Sequence, residues 1–327
     1  MADPLSIGII GTGGIAGRHA RVLVDRSDAV VGALADPDAD RTDAFRRRFP
    51  ELSECSAYDD HQQMIAGEQL DGVVISSPHN VHHPQILDCL RAGLHVLTEK
   101  PMVCTTEEAE EVMQAEEEAD RILAIAYQRH AQGEFRFIRK QLQSGRAGEV
   151  QFINAFQGQN WMKGTTGTWR QMPEISCGGQ LNDSGSHLID IILWVTGLRA
   201  KRVNAAIEQF DRQVDINSAV TVEFANGGVA GISVVGNCPV WWEDITIVCS
   251  SWTFFMRQGE LSYSTGGGGE MLKLLSARYG AESTTANFLE SIRGEAEPYA
   301  PSVCGLRTIE LTEAAWKSAA SGESVWL

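Results

Sequence analysis

The amino-acid sequence predicts a doubly wound α/β domain with a parallel sheet, followed by an α+β domain with a large, mostly antiparallel sheet. Over the first 125 residues, short apolar runs alternate with helix-like segments. The apolar runs lack polar alternation, which is typical of strands buried on both faces. Beyond about Tyr127 the strand-like runs lengthen and alternate in part. We therefore predict two domains, 1–125 and 126–327, each long enough to bury a core.

In the first domain, each strand-like run is followed by turn residues and a helix-like segment, which is the order of a doubly wound fold. The predicted strands are Leu5–Ile10, Ala29–Ala35, Gly72–Ser76, His95–Thr98 and Ile122–Ala126. The predicted helices are Ile15–Val24, Arg41–Arg48, His83–Ala92 and Glu107–Ala119. The last of these begins with a capping box, in which Thr105 accepts the amide of Glu108 and the Glu108 carboxylate reaches back.

The second domain contains six predicted strands and three predicted helices. The strands are Glu149–Phe156, Val203–Phe210, Ala219–Phe224, Val229–Val235, Thr246–Cys249 and Phe254–Arg257. The helices are Glu134–Gln143, Gly185–Val195 and Val303–Ala320. The sequence leaves open which domain the last helix packs on, and the run Ser262–Gly269 predicts a surface loop because of its four glycines.

The charge balance argues against two classes of partner. With 27 Lys and Arg against 43 Asp and Glu, the formal net charge is −16, which repels polyanions such as nucleic acids and anionic membranes. The apolar run Ile189–Val195 is far below the roughly 20 residues that span a bilayer. The N-terminal residues lack the basic segment of a signal peptide, and we expect a cytoplasmic protein. No CxxC pair is present, so we expect no metal site.

A glycine-rich turn, GTGGIA at residues 11–16, joins the first predicted strand to the first predicted helix. Gly11 permits a tight turn, Gly13 lets a pyrophosphate approach the backbone, and Ala16 keeps the helix close to the strand. Amides at the start of the helix face the phosphates. The turn therefore predicts a dinucleotide site. Its cofactor-binding residues are Gly11, Thr12, Gly13, Gly14 and Ile15.

The second predicted strand is followed by Asp36, 25 positions beyond Gly11. A carboxylate there accepts the ribose hydroxyls of an adenosine and repels a 2′-phosphate, so NAD is favoured over NADP. The alternative is that Arg41 and the run Arg46–Arg48 bind the extra phosphate of NADP. Pro37 follows Asp36 directly and no basic residue lies beside it, so we predict NAD.

Three further motifs carry a family resemblance. They read SSPHNVH at residues 76–82, AGLHVLTEKP at residues 92–101 and GGQLNDSGSHLID at residues 178–190. Together with the glycine-rich turn, they resemble the Gfo/Idh/MocA family of sugar and cyclitol oxidoreductases over essentially the whole chain. The resemblance implies a Rossmann domain and an NAD-dependent dehydrogenase of a sugar, anhydrosugar or cyclitol. Two alternatives stay open: NAD-assisted glycoside cleavage or sugar isomerisation with transient oxidation, and a non-catalytic dinucleotide or sugar sensor.

Two of these motifs also point to chemistry without the family. Lys100 follows a predicted central strand, where open α/β sheets place their ligands and where a lysine needs an anion, hydroxyl or carbonyl. The structural alternative is that Lys100 reaches a domain interface and pairs with Glu99 or another acidic neighbour. Asp183 and His187 share one face if the helix extends back that far, and a carboxylate there supports an imidazole general base. The structural alternative is a helix cap at Asp183 and a buried, hydrogen-bonded His187.

The resemblance implies roles for these and other residues. His187 takes the proton of a substrate hydroxyl while hydride leaves the same carbon, Lys100 holds the oxygen, and Asp183 supports the charged imidazole. The implied catalytic residues are Lys100, Asp183 and His187. The implied cofactor contacts outside the glycine-rich turn are Asp36, Ser77, His82, Glu99 and Lys100. The candidate substrate-binding residues are Lys100, Tyr127, Arg129, Trp161, Trp169, Arg170, Asp183 and His187.

Alternatives also stay open for some of the substrate-binding candidates. Tyr127 and Arg129 are explained equally well as residues of a linker. The tryptophans have a second explanation too, because tryptophans are more often core residues than ligand contacts. Trp241 and Trp242 are adjacent in a strand-rich region, so one of the two is expected to face outward. An exposed tryptophan is typical of a subunit interface. We therefore expect a homodimer or homotetramer formed through the C-terminal sheet.

Overall fold

The computed structural model describes residues 3–266, 271–273 and 283–327. The chain divides into two compact units. The first unit is Met1–Gln128 with Glu282–Leu306, and the second is Arg129–Ala281 with Arg307–Leu327. A single boundary near residue 125 was predicted, and no local feature of the sequence indicates that residues 282–306 return to the first unit.

The first unit contains a six-stranded parallel sheet in the order β3-β2-β1-β4-β5-β6. Its strands are β1 (Leu5–Ile10), β2 (Ala29–Ala35), β3 (Ser56–Tyr58), β4 (Gly72–Ile75), β5 (His95–Thr98) and β6 (Leu123–Ile125). Its helices are α1 (Ala16–Val24), α2 (Ala39–Arg48), α3 (His61–Gly67), α4 (His82–Arg91), α5 (Thr106–Ala119) and, from the returning segment, α10 (Thr284–Ile292). The doubly wound prediction is confirmed.

This strand order places the switch point of the sheet between β1 and β4, where the connections depart in opposite directions. The loops that follow these two strands therefore lie side by side at the edge where open α/β sheets bind ligands. The central strands are apolar because both faces are covered, and Ile7, Ile9 and Val74 are 0% exposed. The predicted capping box at Thr105 and Glu108 is present at the start of α5.

The second unit contains a nine-stranded sheet in the order β14-β13-β12-β11-β7-β10-β9-β8-β15. Its strands are β7 (Val150–Gly158), β8 (Ala200–Glu208), β9 (Asn217–Phe224), β10 (Val229–Val235), β11 (Trp242–Cys249), β12 (Thr253–Arg257), β13 (Glu260–Ser264), β14 (Leu272–Lys273) and β15 (Val325–Trp326). Its helices are α6 (Gly133–Gln143), α7 (Trp161–Gly164), α8 (Pro173–Ser176) and α9 (Gly185–Thr196). The pairings are antiparallel except that between β7 and β10, which confirms the mostly antiparallel prediction.

The core of the second unit lies between this sheet and α9. The apolar residues Leu188, Ile189, Ile191 and Ile192 of α9 are at most 1% exposed in one cluster with the inward-facing residues of the strands. The last helix, α11 (Ser302–Ser321), contributes three further residues to this cluster. They are Leu311, Ala314 and Ala315.

Two predictions about the second unit were wrong. Ser262–Ser264 are not loop residues but belong to β13, because their backbone pairs with β12 and Tyr263 stacks on Trp252 at 5.6 Å between ring centroids. The remainder of the predicted loop, 267–269, lies outside the described residues. Trp241 and Trp242 are both exposed, at 51% and 45%, because Trp241 precedes the strand and does not follow its alternation. No helix of the described part of the chain has the length and apolarity to cross a membrane.

Candidate functional site

The glycine-rich turn follows β1 at the switch point and leaves open space in front of it. Gly11 has a φ of +84°, and a Cβ at this position would lie 2.8 Å from the backbone of Ser76 and Ser77, so only glycine fits. A Cβ at Gly13 or Gly14 would meet no atom within 4 Å. Helix α1 then starts without a side-chain cap, which leaves its first amides available to an anion. The turn therefore fits the pyrophosphate of a dinucleotide.

Asp36 lies beside this turn and is held in place by it. Its Oδ2 accepts hydrogen bonds from the backbone N and the Oγ1 of Thr12, at 2.8 and 2.9 Å, and its Oδ1 accepts the amide of Asp38 at 3.0 Å. The side chain is almost buried, at 7% exposure for the residue. Arg41 donates through Nε to Asp38 at 3.0 Å instead of facing Asp36. Arg41 thus has a partner other than Asp36, and the ribose-binding role of Asp36 stays a prediction.

The loops after β4 and β5 are joined by a buried histidine. The His82 ring lies between the carbonyl oxygens of Pro101 and Ser77, at 2.8 Å from Nδ1 and 3.0 Å from Nε2, and is 0% exposed. Burial lowers the pKa of His82 below its usual value, although both carbonyl contacts oppose this shift. A neutral ring donates to one of the two carbonyls only. His82 thus links the two loops, while its predicted contact with the cofactor stays a prediction.

Lys100 and Glu99 follow β5, next to the loop that contains Ser77. Lys100 is half-buried. The Glu99 carboxylate accepts the backbone amide of Lys100 through Oε2 at 3.3 Å and contacts Nε2 of His19 through Oε1 at 3.1 Å. The carboxylate of Glu99 therefore holds the backbone at Lys100. Tyr127, two residues beyond β6, is 1% exposed.

In the second unit, Asp183 is held by two donors from the preceding segment. Its Oδ2 accepts Nε1 of Trp161 at 2.7 Å and Nε of Arg170 at 3.1 Å. Trp161 is 4% exposed and packs with Val214 and Ile216, so it is a core residue that orients Asp183. Its predicted contact with substrate stays a prediction. The guanidinium of Arg170 lies 4.5 Å from the ring centroid of Trp169.

His187 lies in the first turn of α9 and is half-buried. The helix begins at Gly185 and its N-cap, Ser184, makes no side-chain capping bond, so α9 does not extend back to Asp183. The Asp183 carbonyl accepts Oγ of Ser186 at 2.8 Å, which connects Asp183 to the first turn of the helix. Asp183 and His187 are thus carried by one continuous segment of the second unit.

A buried ion pair that the sequence analysis missed supports this helix. Arg129 forms a salt bridge with Glu243 of β11 and donates to the carbonyl of His187 at 3.4 Å. Burial raises the pKa of Glu243, although the charge of Arg129 opposes this shift. The predicted strand began at Thr246, four residues after the observed start at Trp242, so the inward-facing position of Glu243 was not recognised. The substrate contact predicted for Arg129 stays a prediction.

The turn that precedes Asp183 is fastened by a second residue that the sequence analysis missed. Asp215 accepts the amide of Gly179 at 2.9 Å through Oδ1 and that of Leu181 at 2.6 Å through Oδ2. The indole of Trp316 also donates to Oδ1, at 3.0 Å. A Cβ on Gly179 would lie 2.0 Å from the carbonyl oxygen of Asp215. This close approach explains why position 179 of the motif is a glycine.

We expect Gly179→Ala to lower the free energy of unfolding by about 3 kcal/mol or more, because the added methyl collides with backbone atoms that no rotamer can move. Gly164→Ala is the matched control, since a Cβ there meets no atom within 4 Å. Urea unfolding of the two variants is the measurement. Equal unfolding midpoints for the two variants would show that the turn relaxes freely.

Two family sequence models match the chain. The model described as an oxidoreductase family with an NAD-binding Rossmann fold matches residues 5–127, and the GFO/IDH/MocA C-terminal domain matches residues 135–254. D-glucoside 3-dehydrogenase of Escherichia coli K12 is 28% identical over 70% of this chain and 69% of that protein. Inositol 2-dehydrogenase of Corynebacterium glutamicum strain R is 28% identical over 62% of this chain and 57% of that protein. A solved levoglucosan dehydrogenase in complex with NADH shares the fold, with a TM-score of 0.89 at 18% identity and 99% coverage of both chains.

Proposed function

The chain belongs to the GFO/IDH/MocA family of oxidoreductases, and on that premise we propose that it is an NAD-dependent dehydrogenase of a sugar, anhydrosugar or cyclitol. The reaction is hydride transfer between C4 of the nicotinamide ring and a secondary hydroxyl or keto carbon. The observation that carries the proposal is the open glycine-rich turn at the switch point, to which Asp36 is hydrogen-bonded. The named relatives, which are dehydrogenases of a glucoside and of inositol, support the substrate class.

We infer that the first unit holds the cofactor. The amides that follow Gly13 bind the pyrophosphate, Asp36 accepts the adenosine ribose hydroxyls, and Glu99 with Ser77 lies toward the nicotinamide half. NAD, when bound, supplies the hydride acceptor, and the protein supplies orientation and proton transfer.

The proton of the substrate hydroxyl is assigned to His187. An imidazole general base accepts this proton as the C–H bond of the same carbon gives up hydride, so the alcohol becomes a ketone. Asp183 stabilises the imidazolium that results, and its own orientation is set by Trp161 and Arg170. Lys100 donates a hydrogen bond to the substrate oxygen and stabilises the negative charge that develops there.

Replacing Asp36 by alanine is expected to narrow the preference for NAD over NADP by about 10- to 100-fold, which corresponds to the loss of charge-assisted hydrogen bonds to the ribose. The measurement is the ratio of the two Kd values by fluorescence titration. A ratio is used because Asp36 also holds Thr12, and damage to the turn alone weakens both cofactors equally. Asp40→Ala removes an exposed carboxylate nearby and serves as the control. An unchanged ratio in Asp36→Ala would remove this residue from the ribose site.

The proposed reaction is tested by adding NAD and a panel of sugars and cyclitols to the purified protein and recording the absorbance of NADH. We expect NADH to form with at least one member of the panel. Sugar product without net NADH would favour transient oxidation, as in glycoside cleavage or isomerisation. NAD binding without any product would favour a sensor. Either outcome would contradict the dehydrogenase proposal.

A homodimer or homotetramer through the C-terminal sheet remains part of the proposal. Phe152 of β7 and Val229 of β10 are paired in register and are 45% and 39% exposed on the face of the sheet that is turned away from α9. Adjacent exposed apolar side chains on a sheet favour burial against a second copy. A mass of one chain by light scattering would contradict this.

A further inference from the structure

A buried histidine of the first unit is not used by the proposed reaction, yet it contacts a residue beside Lys100. His19 lies on α1 and is 4% exposed. Its Nδ1 is 2.8 Å from Oγ1 of Thr285 on α10, and its Nε2 is 3.1 Å from Oε1 of Glu99. Three elements that are far apart in sequence, α1, α10 and the end of β5, are therefore connected by one chain of side chains, Thr285–His19–Glu99.

The direction of the hydrogen bond between His19 and Glu99 follows from the charge of Glu99. Burial alone disfavours the Glu99 anion, but the hydrogen bond and charge of His19 and the charge of Lys100 hold the pKa of Glu99 below its ordinary value. An ionised carboxylate only accepts, so Nε2 of His19 carries a proton and donates a hydrogen bond to Glu99. Nδ1 of His19 contacts the hydroxyl of Thr285, which accepts from a protonated ring nitrogen or donates to an unprotonated one.

Both ring nitrogens of His19 are engaged in this way, so the histidine is not available to touch cofactor or substrate. Glu99 is different. Its Oε1 accepts from His19 and its Oε2 accepts the backbone amide of Lys100, and each carboxylate oxygen has a further acceptor site. The Glu99 side chain is 12% exposed and follows β5, which pairs with β4 next to the switch point. Glu99 therefore lies at the ligand-binding edge of the sheet.

We propose that His19 is a positioning residue. Through the Thr285–His19–Glu99 chain, it fixes the Glu99 carboxylate in the orientation in which this carboxylate accepts a ribose hydroxyl of the nicotinamide half. The fixed carboxylate also steadies the backbone of Lys100. The inference rests on the proposed function for the identity of the ligand. The inference also gives the returning segment 282–306 a role, because Thr285 of α10 contacts the second ring nitrogen of His19. Without that support the imidazole has rotational freedom about its side-chain bonds, and the donor to Glu99 is lost in part of the population.

The alternative is a histidine that merely packs in the core. Such a residue affects the free energy of unfolding and nothing else. A positioning residue also affects the affinity for NAD and the kcat, and its effect is relieved by any side chain that restores the donor to Glu99. The glutamine amide nitrogen occupies nearly the same position as Nε2 of histidine, whereas leucine fills the volume without a donor. The pair His19→Gln and His19→Leu therefore separates the two roles.

The experiment measures Kd for NAD, KM for NAD, kcat and Tm in four variants. We expect His19→Leu to raise Kd and KM for NAD at least about 10-fold and to lower kcat, as the loss of a charge-assisted hydrogen bond predicts. His19→Gln is expected to restore both constants to within about threefold of wild type. For Thr285→Val we expect values of Kd and KM for NAD between those of His19→Leu and His19→Gln. Val112→Ala controls for destabilisation, because Val112 is buried on α5 and is not part of the Thr285–His19–Glu99 chain. We expect this variant to have a lower Tm and an unchanged Kd for NAD.

The pH dependence of NAD binding gives a readout that packing alone does not change. The groups that face Glu99 are His19, Lys100 and His82. Loss of His19 removes a contact that lowers the pKa of Glu99, so the carboxylate of His19→Leu takes up a proton at higher pH than that of the wild type. We expect the acidic limb of NAD affinity to shift to higher pH in His19→Leu and to return in His19→Gln.

Wild-type NAD affinity in His19→Leu, or a His19→Gln variant as impaired as His19→Leu, would overturn the inference. If His19→Leu does not fold, the comparison is made between Thr285→Val and His19→Gln. A Thr285→Val variant with the Kd and pH profile of the wild type would then overturn the inference. Failure of the proposed function looks different: the wild-type protein then binds NAD but forms no NADH with any sugar. The Kd measurements remain interpretable in that case because they need no turnover.

Discussion

Replacing Lys100 by methionine is expected to lower kcat by at least about 100-fold while the Kd for NAD stays within about threefold of wild type. The backbone at Lys100 is held by the Glu99 carboxylate, so the ammonium group is presented from a fixed position at the end of β5. Its proposed hydrogen bond strengthens as the substrate oxygen gains negative charge, and methionine has the length but no donor. Because this contact is made mainly in the transition state, the loss falls on kcat and not on cofactor binding.

Steady-state kinetics with the sugar identified from the panel, together with a fluorescence titration of NAD, measures both quantities. Lys140→Met, which removes an exposed lysine on α6, controls for the change in net charge. Lys100→Arg keeps the positive charge but replaces the ammonium group by a planar guanidinium with a different donor geometry. We therefore expect its kcat to be only partly restored relative to Lys100→Met. A kcat for Lys100→Met within about twofold of wild type would exclude Lys100 from the reaction, since a positioned donor contributes far more.

His187→Asn is expected to lower kcat by at least about 100-fold, because asparagine cannot accept the proton of the substrate hydroxyl. The fold of the site should persist, since the two contacts that support this helix start use backbone and neighbouring groups: Arg129 donates to the carbonyl of His187, and Ser186 donates to the carbonyl of Asp183. In the wild type we expect the rate to fall as the pH is lowered, because a protonated imidazole no longer accepts a proton. This limb should be absent from His187→Asn.

The pH profile of kcat/KM is therefore the decisive measurement for His187. His83→Asn is a suitable control, because His83 is a half-buried partner of Glu111 on the first unit. A variant that keeps the wild-type acidic limb at reduced rate would assign this limb to another group. Unchanged turnover in His187→Asn would contradict the proposed mechanism directly.

Most of the fold was predictable because its strands are local features of the chain. A strand covered on both faces is a continuous apolar run, and β1, β2 and β5 were predicted with the bounds that the structure has. The short strand β3, with three residues, has too few positions to show a period. The second sheet was predicted less well. Its edge strand β13 was taken for a loop because Ser262 and Ser264 are polar and glycines follow them.

The candidate site divides in the same way. The glycine-rich turn was recognisable because the left-handed backbone of Gly11 and the close approach of the loop after β4 are requirements that only glycine meets. The contacts of Trp161 were not predictable. Its type suggested a ring that stacks on a sugar, and the structure buries it as a donor to Asp183. The buried pair of Arg129 and Glu243 was missed because the inward-facing register of β11 depends on where that strand begins.

Local patterns in the sequence were enough to predict the two fold classes, the dinucleotide turn with Asp36 beside it, and the residues that are candidates for chemistry. The partners of the buried polar groups emerged only from the folded chain: Thr12 for Asp36, Trp161 and Arg170 for Asp183, and His19 with Thr285 for Glu99. Distance along the chain explains this difference. Hydrophobic periodicity and turn chemistry are properties of a few neighbouring residues, whereas His19 and Thr285 are 266 positions apart and meet only after the chain has returned to the first unit.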